Sequence, residues 1–295
     1  MDLAISAVCF GMVVASILAL AAVGFTLQYG VTNIFNLAFP ETMVASGFVA
    51  YLFNSRGWSI WLCLVVAAVF GGALSLALNV VLYRPFIRRG SSFLALFIAS
   101  LATGMVIAYT IAAIAAEGSF RYDLAHERAF TIASANITWP QITIMVISAG
   151  AMVTVHLFLR RSRLGKAMRA TAVDADLARS CGVPTEHVVN VAWLVSGALC
   201  GLAGVTFFMT TRSFGATSGR AFLVLIIAAA ILGGIGDAYG AMLGAVVIGV
   251  TTELGAVWLN PGYKTAVALL ILLAVLLVRP QGIRAEFARV REMQA

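Results

Sequence analysis

Residues 28–47 read QYGVTNIFNLAFPETMVASG. Long apolar runs flank this stretch, so Asn33, Asn36 and Glu41 fall where a helix would lie at membrane depth. A carboxylate at the centre of a span costs about 2.5–3.5 kcal/mol on insertion scales, so Glu41 has to face protein or a water-filled path. Pro40 cannot donate a hydrogen bond to the carbonyl of Asn36, which breaks or kinks a helix there. Proline is favoured at the first position of a new helix, and an acid beside it suits the positive helix end. The stretch therefore predicts a discontinuous second span with its joint over residues 38–41. Broken helices expose backbone groups near the midplane and often mark the solute route in transporters. Asn33, Asn36, Pro40 and Glu41 are the candidate lining of such a translocation path. The competing reading is a purely structural kink, with Glu41 bonded to neighbouring backbone.

Working outward, the rest of the chain is of the same kind. Of 295 residues, 62% are hydrophobic and 11% charged, against about 45–50% and 25% in soluble domains. Too few charges remain to cover a water-facing surface, and long apolar runs are the opposite of disorder. The expected fold is an all-α polytopic membrane helical bundle. At about 30–35 residues per span and connection, the length accommodates about eight or nine spans and no large soluble domain. Apolar runs cover residues 3–27, 29–53, 59–83, 93–116, 141–159, 188–211, 221–232, 238–258 and 263–278. The first lacks a basic flank and is too long for a signal h-region, so it reads as a span rather than a cleavable leader. The run at 221–232 is short; it is either a half-helix or the centre of a longer one.

Punctuation agrees. Pro85, Pro140, Pro184, Pro261 and Pro280 fall in connections or at span ends, where a missing N–H does no harm. Trp58, Trp61, Trp139 and Trp258 lie near predicted ends on one side and Trp193 near the other, the pattern of an aromatic belt. Most of the 19 Lys and Arg residues fall in one set of connections: Arg84 to Arg89, Arg160 to Arg179, and Arg279 to Arg291. The other set holds Arg56, Arg121, Arg128, Arg212, Arg220 and Lys264. The positive-inside rule makes the first set cytoplasmic and puts the C-terminus inside. The N-terminus is outside if the second run crosses once, and inside if that run is a re-entrant hairpin. The net charge of +7 is thus a matter of topology and lipid, and implies no nucleic acid.

Two further segments carry information. Residues 231–245 read ILGGIGDAYGAMLGA; Gly236, Gly240 and Gly244 share one helix face at four-residue spacing, a surface for close helix packing. Gly197, Gly201 and Gly204 read the same way. No strand precedes Gly234-x-Gly236 and no GxxxxGK[ST] exists, so a phosphate cradle is not indicated. Residues 160–183 read RRSRLGKAMRATAVDADLARSCGV, a basic, Ala-rich stretch stopped by Gly182 and Pro184. It is either a helix docked by a cytoplasmic partner or a solvated linker. The four cysteines form no CxxC, and the three histidines, His126, His156 and His187, are far apart, so no metal site is expected. Glu253 near a span end has the simplest reading of reaching headgroups. A membrane serine protease lacks its constellation: Ser218-Gly219 has no preceding glycine of the motif, and no histidine follows His187.

Four ordered motifs resemble one family over nearly the whole chain. The pattern from Gly30 to Gly47, with Asn36, Ala38 and Glu41, is similar to the second span of the LivH/LivM-type permease subunits of branched-chain amino-acid ABC importers. Leu164-Gly165-Lys166-Ala167-x-Arg169-Ala170, followed by Ala178 and Gly182-Val183, resembles that family's cytoplasmic loop. Leu232-Gly233-Gly234-Ile235-Gly236 with Gly240-Ala241-x-x-Gly244, and Leu277-Val278-Arg279-Pro280-Gln281-Gly282-Ile283, resemble its later motifs. One departure stands out: the family commonly carries A-H-G-E where this chain has Ala38-Phe39-Pro40-Glu41.

The resemblance implies one transmembrane permease domain over residues 1–295, in a bacterial cytoplasmic (inner) membrane. It implies a second permease subunit, the same or different, two cytoplasmic ABC ATPases and a periplasmic solute-binding protein. ATP and magnesium would be used by the ATPases, with no cofactor and no enzymatic activity in this chain. Gly165, Lys166, Ala167, Arg169, Ala170, Ala178 and Gly182 would then belong to the ATPase-coupling region. Solutes handled by such relatives include branched-chain amino acids, urea, short amides and aromatic acids. The alternative that the residues alone leave open is a self-contained secondary transporter or channel for a small polar solute.

Overall fold

The computed structural model describes residues 2–115, 120, 122, 129–132, 135–211, 215, 218–258 and 261–278. Arg121, Arg128, Arg212, His126 and the ending from Arg279 onward lie outside the described residues. The order is α1 (Asp2–Thr32), α2 (Phe39–Asn54), α3 (Ile60–Leu78), α4 (Arg84–Arg88), α5 (Phe93–Ala115), β1 (Ala129–Ile132), β2 (Ala135–Thr138), α6 (Trp139–Arg161), α7 (Arg163–Val173), α8 (Ala175–Ser180), α9 (Thr185–Thr210), α10 (Gly219–Gly233), α11 (Ala238–Trp258) and α12 (Lys264–Val278). Six helices are long and apolar enough to cross a membrane: Ser6–Thr32, Ile60–Arg88, Phe93–Ala115, Trp139–Arg161, Thr185–Thr210 and Ala238–Trp258. The short apolar helices α10 and α12 and the 16-residue α2 complete the expected bundle. An antiparallel hairpin, with Ala129 opposite Thr138, lies in the connection between α5 and α6.

Small residues set the helix spacing. A Cβ on Gly201 would run into the carbonyl of Ala67, and Gly71 and Gly197 each sit against the other's carbonyl oxygen, so α3 and α9 touch backbone to backbone. Close approach of this kind replaces the hydrophobic drive that lipid does not supply. Gly240 and Gly244 meet Gly233 and Ala229 in the same way, fixing α11 on α10. Gly236 is not part of that helix face. It lies in the turn before α11 with φ 96°, and its backbone abuts Gly30 of α1. Glycine tolerates this φ because it has no Cβ to clash.

The contacts also fix direction. Gly11 meets Val250 and Gly30 meets Gly236, so α1 and α11 are antiparallel. Met43 lies at Gly204 and Gly47 at Phe208, so α2 and α9 are parallel. The chain therefore starts at the end away from the basic connections, descends through α1, turns inside the bundle and returns through α2. The N-terminus lies opposite Arg84, Arg88 and the α7–α8 segment, in line with the first of the two sequence readings. Trp58, Trp61, Trp139 and Trp258 are exposed, as a belt requires. Trp193 is the exception: it is fully buried and packs on Tyr83 with ring centroids 4.9 Å apart. Its position in sequence near a span end did not distinguish core from belt.

The glycine contacts carry a direct test. Gly201→Ala places a methyl group against the Ala67 carbonyl and is expected to destabilise the detergent-solubilised protein by about 1–3 kcal/mol, as overpacking does. Gly150→Ala meets nothing within 4 Å and should leave the thermal midpoint unchanged. A nephelometric or tryptophan-fluorescence melt of the two variants checks this; equal midpoints would contradict the close α3–α9 contact.

Candidate functional site

The α1–α2 turn comprises residues 33–38, not 38–41. α1 continues through Gln28 to Thr32, and α2 begins at Phe39 with Pro40 in its first turn and Glu41 beside it. Proline and acid thus take the helix-start positions read from the sequence, but the break lies on their N-terminal side. Asn33 initiates it with φ 53°, a left-handed conformation that asparagine tolerates better than most residues.

Several of the freed N–H groups find acceptors. The N–H of Asn33 donates to the Tyr29 carbonyl at 2.7 Å, and that of Phe39 to the Asn36 carbonyl at 3.4 Å. Ile34 N–H donates to Thr32 Oγ1 at 3.3 Å, Leu37 N–H to Ser100 Oγ at 3.3 Å, and Ala38 N–H to Asn36 Oδ1 at 3.1 Å. The Tyr83 hydroxyl donates to the same Asn36 oxygen at 2.8 Å. Asn36 is buried and its side-chain oxygen is the acceptor on which the turn closes. Asn33 by contrast is exposed. Above the turn, Thr42 Oγ1 donates to the Phe39 carbonyl at 2.6 Å and lies 3.2 Å from Cys200 Sγ. Phe25 meets the rings of Phe35 and Phe39 edge-on at 5.3 and 5.8 Å.

Glu41 is 7% exposed and its Oε2 has no hydrogen-bond partner among the described residues. That oxygen lies 3.4 Å from the position a Cβ would take on Gly104 of α5, so glycine there makes room for the carboxylate. Pro40, beside it, is contacted by Gly219 at the start of α10. Arg220, the next residue, is exposed.

Tyr83 owes its place to an irregularity. Residues Asn79–Tyr83 form a π-helical turn that joins α3 to α4, a form found mostly as short bulges at functional sites. At its start Asn79 Nδ2 donates to Asn190 Oδ1 of α9 at 2.9 Å. Just beyond its end Arg84 and Arg88 both bond Glu186, the latter at 2.9 Å.

At the basic end α7 and α8 lie across the bundle. Ser162 caps α7 by accepting from Gly165 N–H at 2.8 Å, and a Cβ on Gly165 would lie 2.5 Å from the carbonyls of Phe158 and Leu159. Arg169 donates to the Leu159 carbonyl at 2.9 Å. Asp174 caps α8 through the N–H groups of Asp176 and Leu177, each at 2.9 Å, and Gly182 ends the segment at φ 84°. Met168 and Ala178 face inward; Lys166, Ala170, Val173 and Leu177 face out, and Ala167 is half-buried.

The model of a family described as "Branched-chain amino acid transport system / permease component" matches residues 7–276. LivH of Escherichia coli K12, a high-affinity branched-chain amino acid transport system permease protein, is 31% identical over 297 residues, covering 92% of each chain. The chain belongs to the branched-chain amino acid transport permease family. BraD of Pseudomonas aeruginosa, another permease of such a system, is 30% identical over 287 residues, covering 92% of this chain and 93% of BraD. LivM of E. coli K12 is 28% identical over 152 residues, covering 48% of this chain and 34% of LivM. This family member is a multi-pass membrane protein, and its relatives are transport components rather than enzymes.

In this permease the four candidate path residues gather at one turn with different surroundings. Asn36 and Glu41 are buried, Pro40 is packed under α10, and Asn33 is at the surface. Sequence reading missed Tyr83, Ser100, Gly104 and Arg220, which reach the turn from three other helices and carry no local motif. It also missed the Lys264 to Glu253 ion pair at 2.5 Å, which supplies a partner for an acid assigned to headgroups. Among the described residues no group of three metal-ligating side chains occurs, and His156 instead bonds Tyr239 at 2.8 Å.

The turn predicts unequal roles for its two asparagines. Asn36→Ala leaves the Tyr83 hydroxyl and the Ala38 N–H without their acceptor and is expected to cost about 1–3 kcal/mol. Asn33→Gly suits the left-handed φ and should be neutral within about 0.5 kcal/mol. Thermal unfolding of the two variants in detergent measures the difference, and equal stability would remove Asn36 from its closing role.

Proposed function

We propose that this chain is the transmembrane permease subunit of an ATP-binding-cassette importer. It provides half of the passage for a small hydrophobic amino acid, branched-chain solutes foremost. The observation that carries this reading is the α1–α2 turn. It lies inside the bundle, finds acceptors for several of its N–H groups, and has beside it a buried carboxylate with one oxygen unpartnered. Such interrupted helices line solute routes. The near full-length similarity to LivH and BraD supports the solute class.

The basic end is the cytoplasmic one under the positive-inside rule, which places the end of α12 inside. There α7 and α8 expose Val173 and Leu177 in a polar setting. An exposed apolar pair on a capped, glycine-seated segment suits docking by a cytoplasmic ATPase. Gly165 and Gly182 then shape the segment, Arg169 pins it to α6, and Ala178 seats it inward. LivH and LivM are both permease proteins of E. coli K12 and both resemble this chain, which supports a second permease as partner. A periplasmic binding protein would deliver the solute at the opposite end. ATP and magnesium would act in the ATPases, outside this chain.

Isolation of the tagged chain from native membranes in mild detergent, with mass spectrometry of what accompanies it, is expected to yield two P-loop ATPases and a second permease. A preparation free of ATPases, from membranes that contain candidates, would move the assignment to a secondary transporter or channel driven by an ion gradient. Leu177→Asp puts a charge on the docking face without touching the core. It should leave the chain inserted while lowering ATPase recovery at least tenfold; undiminished recovery would remove α8 from the coupling surface.

A further inference from the structure

Glu41 and Arg220 stand on two helices that both begin inside the bundle. A Cβ on Gly219 would lie 2.9 Å from the Pro40 carbonyl oxygen and 2.9 Å from Val44 Cγ2, so the first turns of α2 and α10 are in direct contact. Glu41 occupies the neighbouring face of α2, toward Gly104 of α5. The helix is thus held between α10 and α5 with the carboxylate at the seam. Along that seam Glu41, Ala45 and Phe48 are each 7% exposed, whereas Met43 and Val44 are 0% and 1% exposed. These three share one helix face, the face that carries the carboxylate.

Among the described residues neither Glu41 nor Arg220 takes part in an ion pair. Glu41 Oε2 lacks any hydrogen-bond partner. An unpaired carboxylate at membrane depth is costly and marks a functional position. Arg220 follows Gly219, which meets Pro40, the residue before Glu41, so the two charges stand on touching first turns without being paired.

We propose that Arg220 and Glu41 form a dipolar transit subsite for a zwitterionic amino acid, Arg220 taking its carboxylate and Glu41 its ammonium. This rests on the transport reading above and adds to it the chemistry that the passage recognises. A guanidinium offers a planar fork of donors matched to a carboxylate, and the positive end of α10 adds to the field on that side. An ammonium has three donors and no acceptor, the complement of a carboxylate oxygen that lacks a partner. Ala45 and Phe48, on the same strip, suit an apolar side chain. The arrangement discriminates against solutes that lack either charge: without an ammonium the buried carboxylate is left unanswered, and without a carboxylate the guanidinium loses its partner.

The test uses the complete transporter in proteoliposomes and compares ATP-driven uptake of radiolabelled leucine, leucinamide (no carboxylate) and 4-methylvalerate (no ammonium). Arg220→Gln is expected to lower the maximal leucine rate at least tenfold and to shift the leucine-to-leucinamide ratio toward leucinamide by a similar factor. Glu41→Gln should shift the leucine-to-4-methylvalerate ratio toward the acid, and Arg220→Lys should recover much of the leucine rate. Recovery of the partner subunits with each variant reports insertion and assembly. Unchanged ratios in correctly assembled Gln variants would overturn the subsite and leave the transport reading standing. Absence of ATP-driven uptake of every solute by the unaltered transporter would overturn the transport reading, and this inference with it.

Discussion

A backbone that stops being helical inside an apolar surrounding must find hydrogen bonds without water. That constraint organises the centre of this permease. The turn at residues 33–38 takes its acceptors from Tyr29, Thr32, Asn36 and Ser100. Each of these donors and acceptors demands a support. Ser100 requires α5 to lie against the turn, and Asn36 requires Tyr83, which the π turn delivers. Close contact between α3 and α9 through Gly71, Gly197 and Gly201 brings Tyr83 and Trp193 together beneath it. Loss of one acceptor would leave a polar group bare in a place where nothing else can reach it.

Much of this was legible in sequence, for physical reasons. Apolar run length determines a helical membrane bundle, since it acts through bulk solvent properties. Pro40 and Glu41 gave the start of α2 because their helix-start preference is local. The break itself was misplaced by several residues, since its initiator is a single left-handed Asn33 rather than a proline or glycine. Gly240 and Gly244 read correctly as a packing face; Gly236 did not, because four-residue spacing says nothing about where a helix begins. Trp193 was assigned to the belt by its distance from a span end, a rule that cannot see the Tyr83 ring packed on it. Arg220 passed as one outer basic residue among several, and only the short α10 brings it beside Glu41.

The two ends of the site are physically continuous. Glu186, immediately after the α7–α8 segment, holds Arg84 and Arg88. These follow directly on the π turn, whose Asn79 grips Asn190 and whose Tyr83 reaches Asn36. One unbroken stretch of helix therefore runs from the basic end of the bundle to the turn between α1 and α2. A π turn is a helix with one residue too many, so its resolution rotates everything on one side of it.

The shortness of α2 also bears on how the protein is made. At 16 residues it spans about 24 Å, less than the hydrocarbon core of a bilayer. It carries Glu41 and ends against glycines and Phe208 of α9. A ribosome working at 5–20 residues per second needs about 8–30 seconds to add the roughly 150 residues that separate α2 from the end of α9. Through that interval α2 lacks the α9 surface on which Met43 and Gly47 pack, although α5, which meets Glu41, is made sooner. The nascent hairpin must be sheltered by the insertion machinery or its lipids, and the membrane acquires it as a late-closing wedge rather than as two successive spans.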